Sequence, residues 1–355
     1  MRRPLVVTAD PQLLDDLLRL AAAAGAEVDV APDAVGARAV WAGAPAVVVG
    51  EDVADQLVAA RLARRAAGVV LVGHDRDDAR LWRRAVALGV QNVVTLPEAE
   101  PWLVDFLADA AEPSVGGRVV SVIGGRGGAG ATTLAVALAV TAATADPVIL
   151  IDADPYGGGI DLALGVEDLP GLRWPDLAES RGRIAGGDLL GALPRRNGVS
   201  VLSWDRGDVV PISVDATATV IAAARRVSAL VVVDMRRAFD DVARLLLSQT
   251  DVTLLVVPAE VRACAAASRV ALATDAQCRD VRVVARLPAP GRMHPSQVAD
   301  ALGVPLLGVF RDDPRLRRAA ERGEPPLDTR RGALSVLCRR ILAEVRRATS
   351  ADLAA

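Results

Sequence analysis

The sequence contains no lysine. Its 41 Lys and Arg residues are all arginine, and against 44 acidic residues they leave a formal net charge of -3. Mechanisms that need a lysine ammonium, such as a Schiff base or the cation of a phosphate-binding loop, are therefore excluded. The slightly acidic balance also disfavours a nucleic-acid-binding protein, because binding to the phosphate backbone depends on a surplus of positive charge.

Histidine and cysteine are nearly as scarce. The two histidines, His74 and His294, exclude a histidine-rich metal site and argue against a His-based catalytic triad. The three cysteines, Cys264, Cys278 and Cys338, form no CxxC pair, so we expect no disulfide framework. This cysteine usage is typical of a protein in the reducing cytoplasm, which is where we expect to find this one.

Long apolar runs are absent as well. No stretch approaches the roughly 18 uninterrupted apolar residues of a transmembrane helix, and Asp10 follows the first apolar residues too soon for a signal peptide. Hydrophobic residues nevertheless make up 52% of the 355 residues and charged residues 24%. That composition excludes a wholly disordered chain, and the length suggests two domains.

What the sequence does contain is a regular alternation of apolar strands and helical segments. Five such units fill residues 1–112, and a second series begins at residue 118, after a linker predicted at 113–117. This alternation predicts an α/β fold class, with two doubly wound parallel-sheet domains at 1–112 and 118–349. The predicted strands are Leu5–Thr8, Glu27–Val30, Ala46–Val49, Val69–Val72, Asn92–Thr95, Val119–Ile123, Val148–Ile151, Val199–Leu202, Leu230–Val233, Thr253–Val257, Val281–Ala285 and Leu306–Phe310.

A glycine-rich loop follows the predicted strand Val119–Ile123 and precedes a helical run, Leu134–Val140. Its spacing matches the phosphate-loop pattern GxxxxGK[ST], with Ala131 in the place of the lysine. Glycines let backbone N–H groups turn toward phosphate oxygens, and the following helix N-terminus adds partial positive charge. An ordinary strand-to-helix turn is the less favoured interpretation, because strand, spacing, threonines and helix all agree. The candidate cofactor-binding residues are Gly125, Arg126, Gly127, Gly128, Ala129, Gly130, Ala131, Thr132 and Thr133.

Acidic residues follow two further predicted strands. Asp152 and Asp154 end one strand at positions i and i+2, which predicts carboxylates on one side at the strand tip, and Asp234 ends another. An acid that merely begins a loop is the alternative for each strand taken alone. With the phosphate loop, they predict a magnesium site formed by Thr132, Asp152 and Asp234. The candidate catalytic residues are Asp152, Asp154 and Arg126.

These segments resemble the deviant Walker A, A′ and Walker B motifs of the MinD/ParA superfamily. The resemblance rests on the stretches 126–133, 152–155 and 233–234 and covers about residues 118–345. Ala131 followed by two hydroxyl residues resembles the CpaE/TadZ branch, and the chain is most similar to the septum-site determining, CpaE-like group of GC-rich bacteria. A receiver-like domain at 1–112 fits the arrangement of that branch.

The resemblance implies a homodimeric, cytoplasmic protein that is recruited to the pole or septum by protein partners. Those partners would belong to the septum, to the Tad pilus or to secretion machinery, and the cofactor would be ATP or ADP with Mg²⁺. Sequence-specific nucleic acid is not expected as a partner. A ParA-like DNA partitioner would need an arginine patch, and the overall acidity argues against it.

Three departures from the family pattern weaken the expected ATP site. Arg126 stands where the family has its signature lysine, Ala131 replaces the phosphate-loop lysine, and Ala285-Arg286 stands where an asparagine often contacts the base. Removing a charge-stabilising group raises the barrier to phosphoryl transfer by several kcal/mol. We therefore expect weak nucleotide binding and little or no hydrolysis. The alternative is an active MinD/ParA-type ATPase switch in which Arg126 replaces the missing lysines.

The first domain lacks most of the residues of a phosphorylatable receiver. Asp10, Glu51-Asp52, His74 and Pro97 stand at the ends of its first, third, fourth and fifth strands, and the lysine that ends strand five of an active receiver is absent. We therefore interpret it as a pseudo-receiver that serves in docking or dimerisation rather than in phosphotransfer.

A basic amphipathic helix is predicted near the C-terminus. Its apolar residues recur at helical spacing between Leu334 and Val345, and arginines occupy the other faces. Such a helix is compatible with contact to a membrane surface. We favour a helix that packs on the sheet, because the apolar stripe is ordinary for the last helix of an α/β domain.

Overall fold

A computed structural model describes residues 3–62, 68–75, 78–112, 115–180, 183–288, 293–324 and 332–352. The chain divides into two compact units, Met1–Pro113 and Ser114–Ala355. The predicted linker falls partly outside the described residues. Within it, the backbone N–H groups of Val115 and Gly117 donate to the carbonyls of Arg226 and Arg225, so these two residues are part of the second unit.

The first unit is an α/β sandwich around a parallel sheet. In its described part the strand order is β2-β1-β3-β4-β5, the order of a doubly wound flavodoxin-like sheet. Valine-rich strands fill the centre, with every residue of β3 and β4 buried beneath helices on both faces. The elements are β1 Leu5–Val7, α1 Pro11–Ala23, β2 Asp29–Ala31, α2 Ala34–Trp41, β3 Val47–Gly50, α3 Ala54–Ala59, β4 Val69–Gly73, α4 Ala79–Leu88, β5 Asn92–Thr95 and α5 Glu100–Ala111.

The second unit is built on a larger sheet. Among its described residues the order is β13-β12-β11-β6-β10-β7-β9-β8, and the strands are parallel except for the edge pair β8–β9. The elements are β6 Arg118–Gly124, α6 Ala131–Ala142, β7 Val148–Asp152, α7 Ile160–Leu164, α8 Trp174–Leu177, α9 Gly186–Ala192, β8 Arg195–Arg196, β9 Val199–Leu202, α10 Val214–Val227, β10 Leu230–Met235, α11 Asp241–Ser248, β11 Val252–Pro258, α12 Val261–Asp275, β12 Val281–Leu287, α13 Pro295–Leu302, β13 Leu306–Arg311, α14 Pro314–Ala320 and α15 Ala333–Asp352.

Each predicted strand overlaps an observed one, and the predicted α/β class is confirmed. Residues 153–198 differ, because they contain α7, α8, α9 and the antiparallel strand β8, none of which was predicted. Helix α8 has four residues and α9 begins with two glycines, so neither shows a helical apolar period over a useful length. The second sheet is therefore not wholly parallel.

Helices α6 and α15 pack together on one face of the second sheet. Helix α6 is buried almost throughout, so it follows β6 into the core rather than along the surface. The predicted apolar stripe of α15 lies in the same core cluster, as the spacing predicts, and its members are Leu334, Leu337, Cys338, Ile341, Leu342 and Val345. Among the described residues, no helix is both long and apolar enough to cross a membrane.

Candidate functional site

The glycine-rich loop joins the central strand β6 to the N-terminus of α6. Gly128 and Gly130 have positive φ values of 68° and 97°, a conformation that glycine adopts without strain. At Gly130 a Cβ atom would also lie 2.8 Å from Cε1 of Phe310, closer than such atoms can approach. The loop conformation therefore depends on glycine at these positions, and it places backbone N–H groups ahead of the helix.

A cleft of about 400 Å³ opens at this loop, beyond the carboxyl ends of β6 and β10. This is the edge of an open α/β sheet at which ligands bind. Gly125 is not among the lining residues, because it packs against α12, where a Cβ atom would lie 2.7 Å from that of Ala267. The lining residues are Gly124, Arg126, Gly127, Gly128, Ala129, Gly130, Ala131, Thr132, Thr133, Asp154, Asp234, Met235, Arg236, Arg237 and Arg286.

The structure brings the candidate site residues Thr132 and Asp234 together inside the cleft. The Thr132 hydroxyl donates a 2.6 Å hydrogen bond to Oδ2 of Asp234. Asp234 is 6% exposed, and burial raises the pKa of its carboxyl to about 7, against the opposing effect of the Thr132 hydrogen bond. A buried carboxylate beside a hydroxyl is an oxygen donor set suited to Mg²⁺.

Asp152 and Asp154 have different surroundings. Asp154 lines the cleft, whereas Asp152 does not. The Asp152 carboxylate accepts hydrogen bonds from the backbone N–H of Asp154 at 3.1 Å, the N–H of Ile160 at 3.0 Å and the hydroxyl of Ser203 at 3.0 Å. Burial raises its pKa to about 6. These contacts hold the start of the loop after β7.

Arg126 lines the cleft but is engaged by its own chain. Its Nη2 lies 2.6 Å from Oε1 of Glu260, at the N-terminus of α12, and its Nη1 donates to the carbonyl of Gly127 at 3.3 Å. Its Nε is buried without a hydrogen-bond partner among the described residues. The arrangement holds the guanidinium beside the loop in an ion pair that a phosphate would have to displace.

Three further arginines reach the cleft. The sequence analysis named Arg286 only as standing where an asparagine often contacts the base, and it did not place Arg236 or Arg237 at the site. Arg236 and Arg237 directly follow β10, and Arg286 belongs to β12. Arg286 donates to the carbonyl of Gly128 at 2.7 Å, pairs with Asp312 at 3.0 Å and lies 5.6 Å from the ring centre of Phe310. The sequence feature that could have predicted their place in the cleft is their position at or just after the carboxyl end of a strand.

In the first unit, the carboxylates of Asp10 and Asp52 are both engaged in hydrogen bonds within the chain. The Asp52 carboxylate accepts from the Thr8 hydroxyl at 2.9 Å and from the backbone N–H groups of Ala9 and Asp10 at 2.7 and 3.1 Å. The side chain of Asp10 caps α1. In the described part of the chain, no group of three or more His, Cys, Asp or Glu residues is placed to hold a metal ion.

Comparison with known protein families identifies the family of the second unit. The family model described as the CobQ/CobB/MinD/ParA nucleotide binding domain matches residues 120–327, more than half of the chain. The chain belongs to this family. The phosphate loop and the strand ends described above lie within the match, so the second unit is a MinD/ParA-like nucleotide-binding domain. The first unit matches, over residues 7–118, a family model described as the Rv3660c-like, CheY-like N-terminal domain.

Individual proteins are also similar to this MinD/ParA-family chain, one in sequence along nearly its whole length and others in fold. It is 42% identical over 350 residues to the uncharacterized protein Rv3660c of Mycobacterium tuberculosis, covering 96% of this chain and 97% of the relative. In fold it is similar to the ParA family ATPase of Chlorobium tepidum, at 16% identity and a TM-score of 0.57 over 63% of this chain and 97% of the other. It is also similar to the septum site-determining protein MinD of Pyrococcus horikoshii complexed with Mg-ADP, at 21% identity and a TM-score of 0.54 over 64% and 95%. The predicted superfamily is therefore confirmed.

Proposed function

We propose that this protein is a CpaE/TadZ-like localisation factor, which positions septum, Tad pilus or secretion machinery through protein partners. Its ATP site is degenerate, with weak nucleotide binding and little or no hydrolysis. The observation that carries the proposal is Ala131, which stands at the head of α6 in a phosphate loop that keeps its glycines and threonines. A site that keeps the cradle and lacks the lysine at the start of the helix can bind a nucleotide without turning it over efficiently.

Nucleotide binding is supported by what the cleft retains. The backbone N–H groups of 127–130 and the N-terminus of α6 are anion-binding groups that need no lysine. The hydroxyl of Thr132 and the carboxylates of Asp154 and Asp234 suit Mg²⁺, which would neutralise phosphate charge when bound. Asp152 contributes by fixing the loop after β7, so Asp154 replaces it in the magnesium set that we propose.

Weak hydrolysis follows from the charges that are missing or engaged. The methyl group of Ala131 offers nothing to the charge that develops on a transferred phosphoryl group. Arg126, the residue of the alternative ATPase interpretation, is paired with Glu260 at 2.6 Å. Breaking that ion pair offsets part of any stabilisation that Arg126 provides to a phosphate. We therefore favour a positional role over a catalytic cycle.

Steady-state phosphate release is expected to match that of a Thr132→Ala/Asp234→Ala control, because neither protein has a cation at position 131. The measurement is phosphate release from ATP with Mg²⁺ by the full chain, together with a binding titration for ATP and ADP. Turnover clearly above the control and abolished by Arg126→Ala would establish the alternative, an active ATPase switch in which Arg126 replaces the lysine.

The first unit supports docking rather than phosphotransfer. We propose that it contributes to dimer formation and to recruitment of the chain from the cytoplasm to the pole or septum. The acceptor position Asp52 is occupied by three donors from Thr8, Ala9 and Asp10, and the lysine of an active receiver is absent. Without a phosphorylation site, the surface of this domain does not change between a phosphorylated and an unphosphorylated state, which suits constant binding to a partner.

The first unit is expected to stay unphosphorylated when the full chain is incubated with acetyl phosphate and Mg²⁺, because the Asp52 carboxylate is committed to its hydrogen bonds. Intact-mass measurement before and after acid treatment checks this. A stoichiometric, acid-labile adduct that localises to residues 1–112 and is lost in Asp52→Asn would contradict the pseudo-receiver interpretation.

A further inference from the structure

The phosphate-loop cleft is rich in arginine although it lacks lysine. Among the described residues, four arginines line it. Three of them have an acidic partner, so much of their charge is already compensated within the chain. The pairs are Arg126 with Glu260, Arg236 with Asp240, and Arg286 with Asp312.

Arg237 is the exception. It has no hydrogen bond or ion pair in the described part of the chain, and its side chain is exposed. Its Nη2 atom lies 3.6 Å from the place that a Cβ atom on Gly127 would occupy, so the guanidinium lies against the first turn of the loop. All five of its N–H donors are therefore available at the mouth of the anion cradle.

The sheet order explains how this residue reaches the loop. Strand β10 is the direct neighbour of β6, with Asp234 opposite Val122 and Met235 opposite Ile123. Residues that follow β10 therefore emerge beside the residues that follow β6. Arg237 comes three positions after Asp234, and its long side chain spans the short distance from the end of β10 to Gly127.

We propose that Arg237 is the phosphate-binding cation of this site and supplies the positive charge that is missing at Ala131. The ligand class is the pyrophosphate portion of a nucleoside di- or triphosphate, so the inference rests on the proposed function of the cleft. A guanidinium is permanently charged and donates N–H groups to phosphate oxygens, so it can supply this charge.

The other arginines are poorer candidates because binding a phosphate would cost each of them an existing contact. Arg286 uses its guanidinium for the Gly128 carbonyl and for Asp312. Arg126 would have to leave Glu260. Arg237 gives up only water, so the free-energy gain from pairing with a phosphate is not offset by a broken ion pair.

The test is a calorimetric titration of the full chain with ADP and, separately, with inorganic pyrophosphate, each with and without Mg²⁺. Arg237→Ala is expected to weaken binding of both probes by about tenfold or more, the range for losing a charge-assisted hydrogen bond. Arg237→Lys is expected to retain most of the affinity. Arg244→Ala is the matched control, because Arg244 is exposed on α11, pairs with Asp241 and does not line the cleft.

A rescue variant separates a role in charge from a role in structure. Ala131→Lys, added to Arg237→Ala, is expected to restore affinity to within about threefold of the natural chain, because it returns a cation to the same phosphates. Failure of this rescue while Arg237→Lys also binds weakly would show that the guanidinium acts through shape rather than charge and would overturn the proposal.

The remaining outcomes show whether the assignment of Arg237 fails, the proposed nucleotide site fails, or both fail. Equal affinities of the natural chain and Arg237→Ala for both probes would overturn the assignment of Arg237 and leave nucleotide binding intact. Arg237-dependent binding of pyrophosphate without binding of ADP or ATP would support the assignment and contradict a nucleotide site. Absence of binding to every probe would overturn both.

Discussion

Ile341→Ala is expected to lower the free energy of unfolding of the second unit by about 2–5 kcal/mol, the range for truncating a fully buried isoleucine. Ile341 lies in the core cluster between α15 and α6 and has no exposed surface. The loss combines the transfer free energy of the deleted methyl groups with the cavity that remains. The measurement is hydrogen–deuterium exchange of α6 and α15 in the full chain over a series of urea concentrations, because it reports the unfolding of the second unit separately from that of the first.

The same helix offers the matched control. Val336 lies on α15 and is 52% exposed, so Val336→Ala is expected to change the free energy of unfolding by less than about 0.5 kcal/mol. If instead α15 were a membrane-surface helix, Ile341→Ala would leave the unfolding transition unchanged and reduce binding to anionic liposomes. That result would contradict the packed helix and revive the interpretation as a membrane contact.

Elements with a strong apolar periodicity could be predicted directly from the sequence. Residues 230–233 of β10 are a continuous run of leucine and valine, which is typical of a buried parallel sheet, and the stripe of α15 has the spacing of one helix face. The loop at 125–133 was identifiable because its glycines stand at fixed distances between a strand and a helix. Residues 153–198 were not, because short glycine-containing helices lack a measurable period.

The site was less predictable than the fold for a different reason. The approach of Arg237 and Arg286 to the loop depends on β10 and β12 lying on opposite sides of β6, which is a property of strand order and not of local sequence. The hydrogen bonds that engage the Asp152 carboxylate depend on the loop that carries the N–H groups of Asp154 and Ile160 and on Ser203, which is distant in the chain. Side-chain direction at a strand tip follows such partners, so alternation along the strand was an insufficient guide.

Asp234→Asn is expected to stabilise the protein above neutral pH in the absence of nucleotide, by roughly 2–4 kcal/mol. Burial raises the pKa of Asp234 in the folded state to about 7, from an ordinary value of 3.8. A carboxyl whose pKa is raised on folding binds more protons in the folded state, so its contribution to stability falls as pH rises from about 4 to about 7 and is constant above that range. Asparagine keeps an acceptor for the Thr132 hydroxyl and does not ionise.

The measurement is the difference in free energy of unfolding between Asp234→Asn and the natural chain at pH values from 4 to 8. The difference is expected to be small near pH 4, to grow through neutrality and to level off above pH 7. Asp241→Asn is the control, because Asp241 is exposed on α11 with 82% of its side chain accessible. Mg²⁺ with ADP should reverse the order of stability, because the ionised Asp234 would then contact the metal or its water. If the difference in free energy of unfolding between Asp234→Asn and the natural chain did not change with pH, ionisation of the buried Asp234 carboxyl would not be its cause. If Mg-ADP increased the free energy of unfolding of both proteins equally, Asp234 would not belong to the magnesium set.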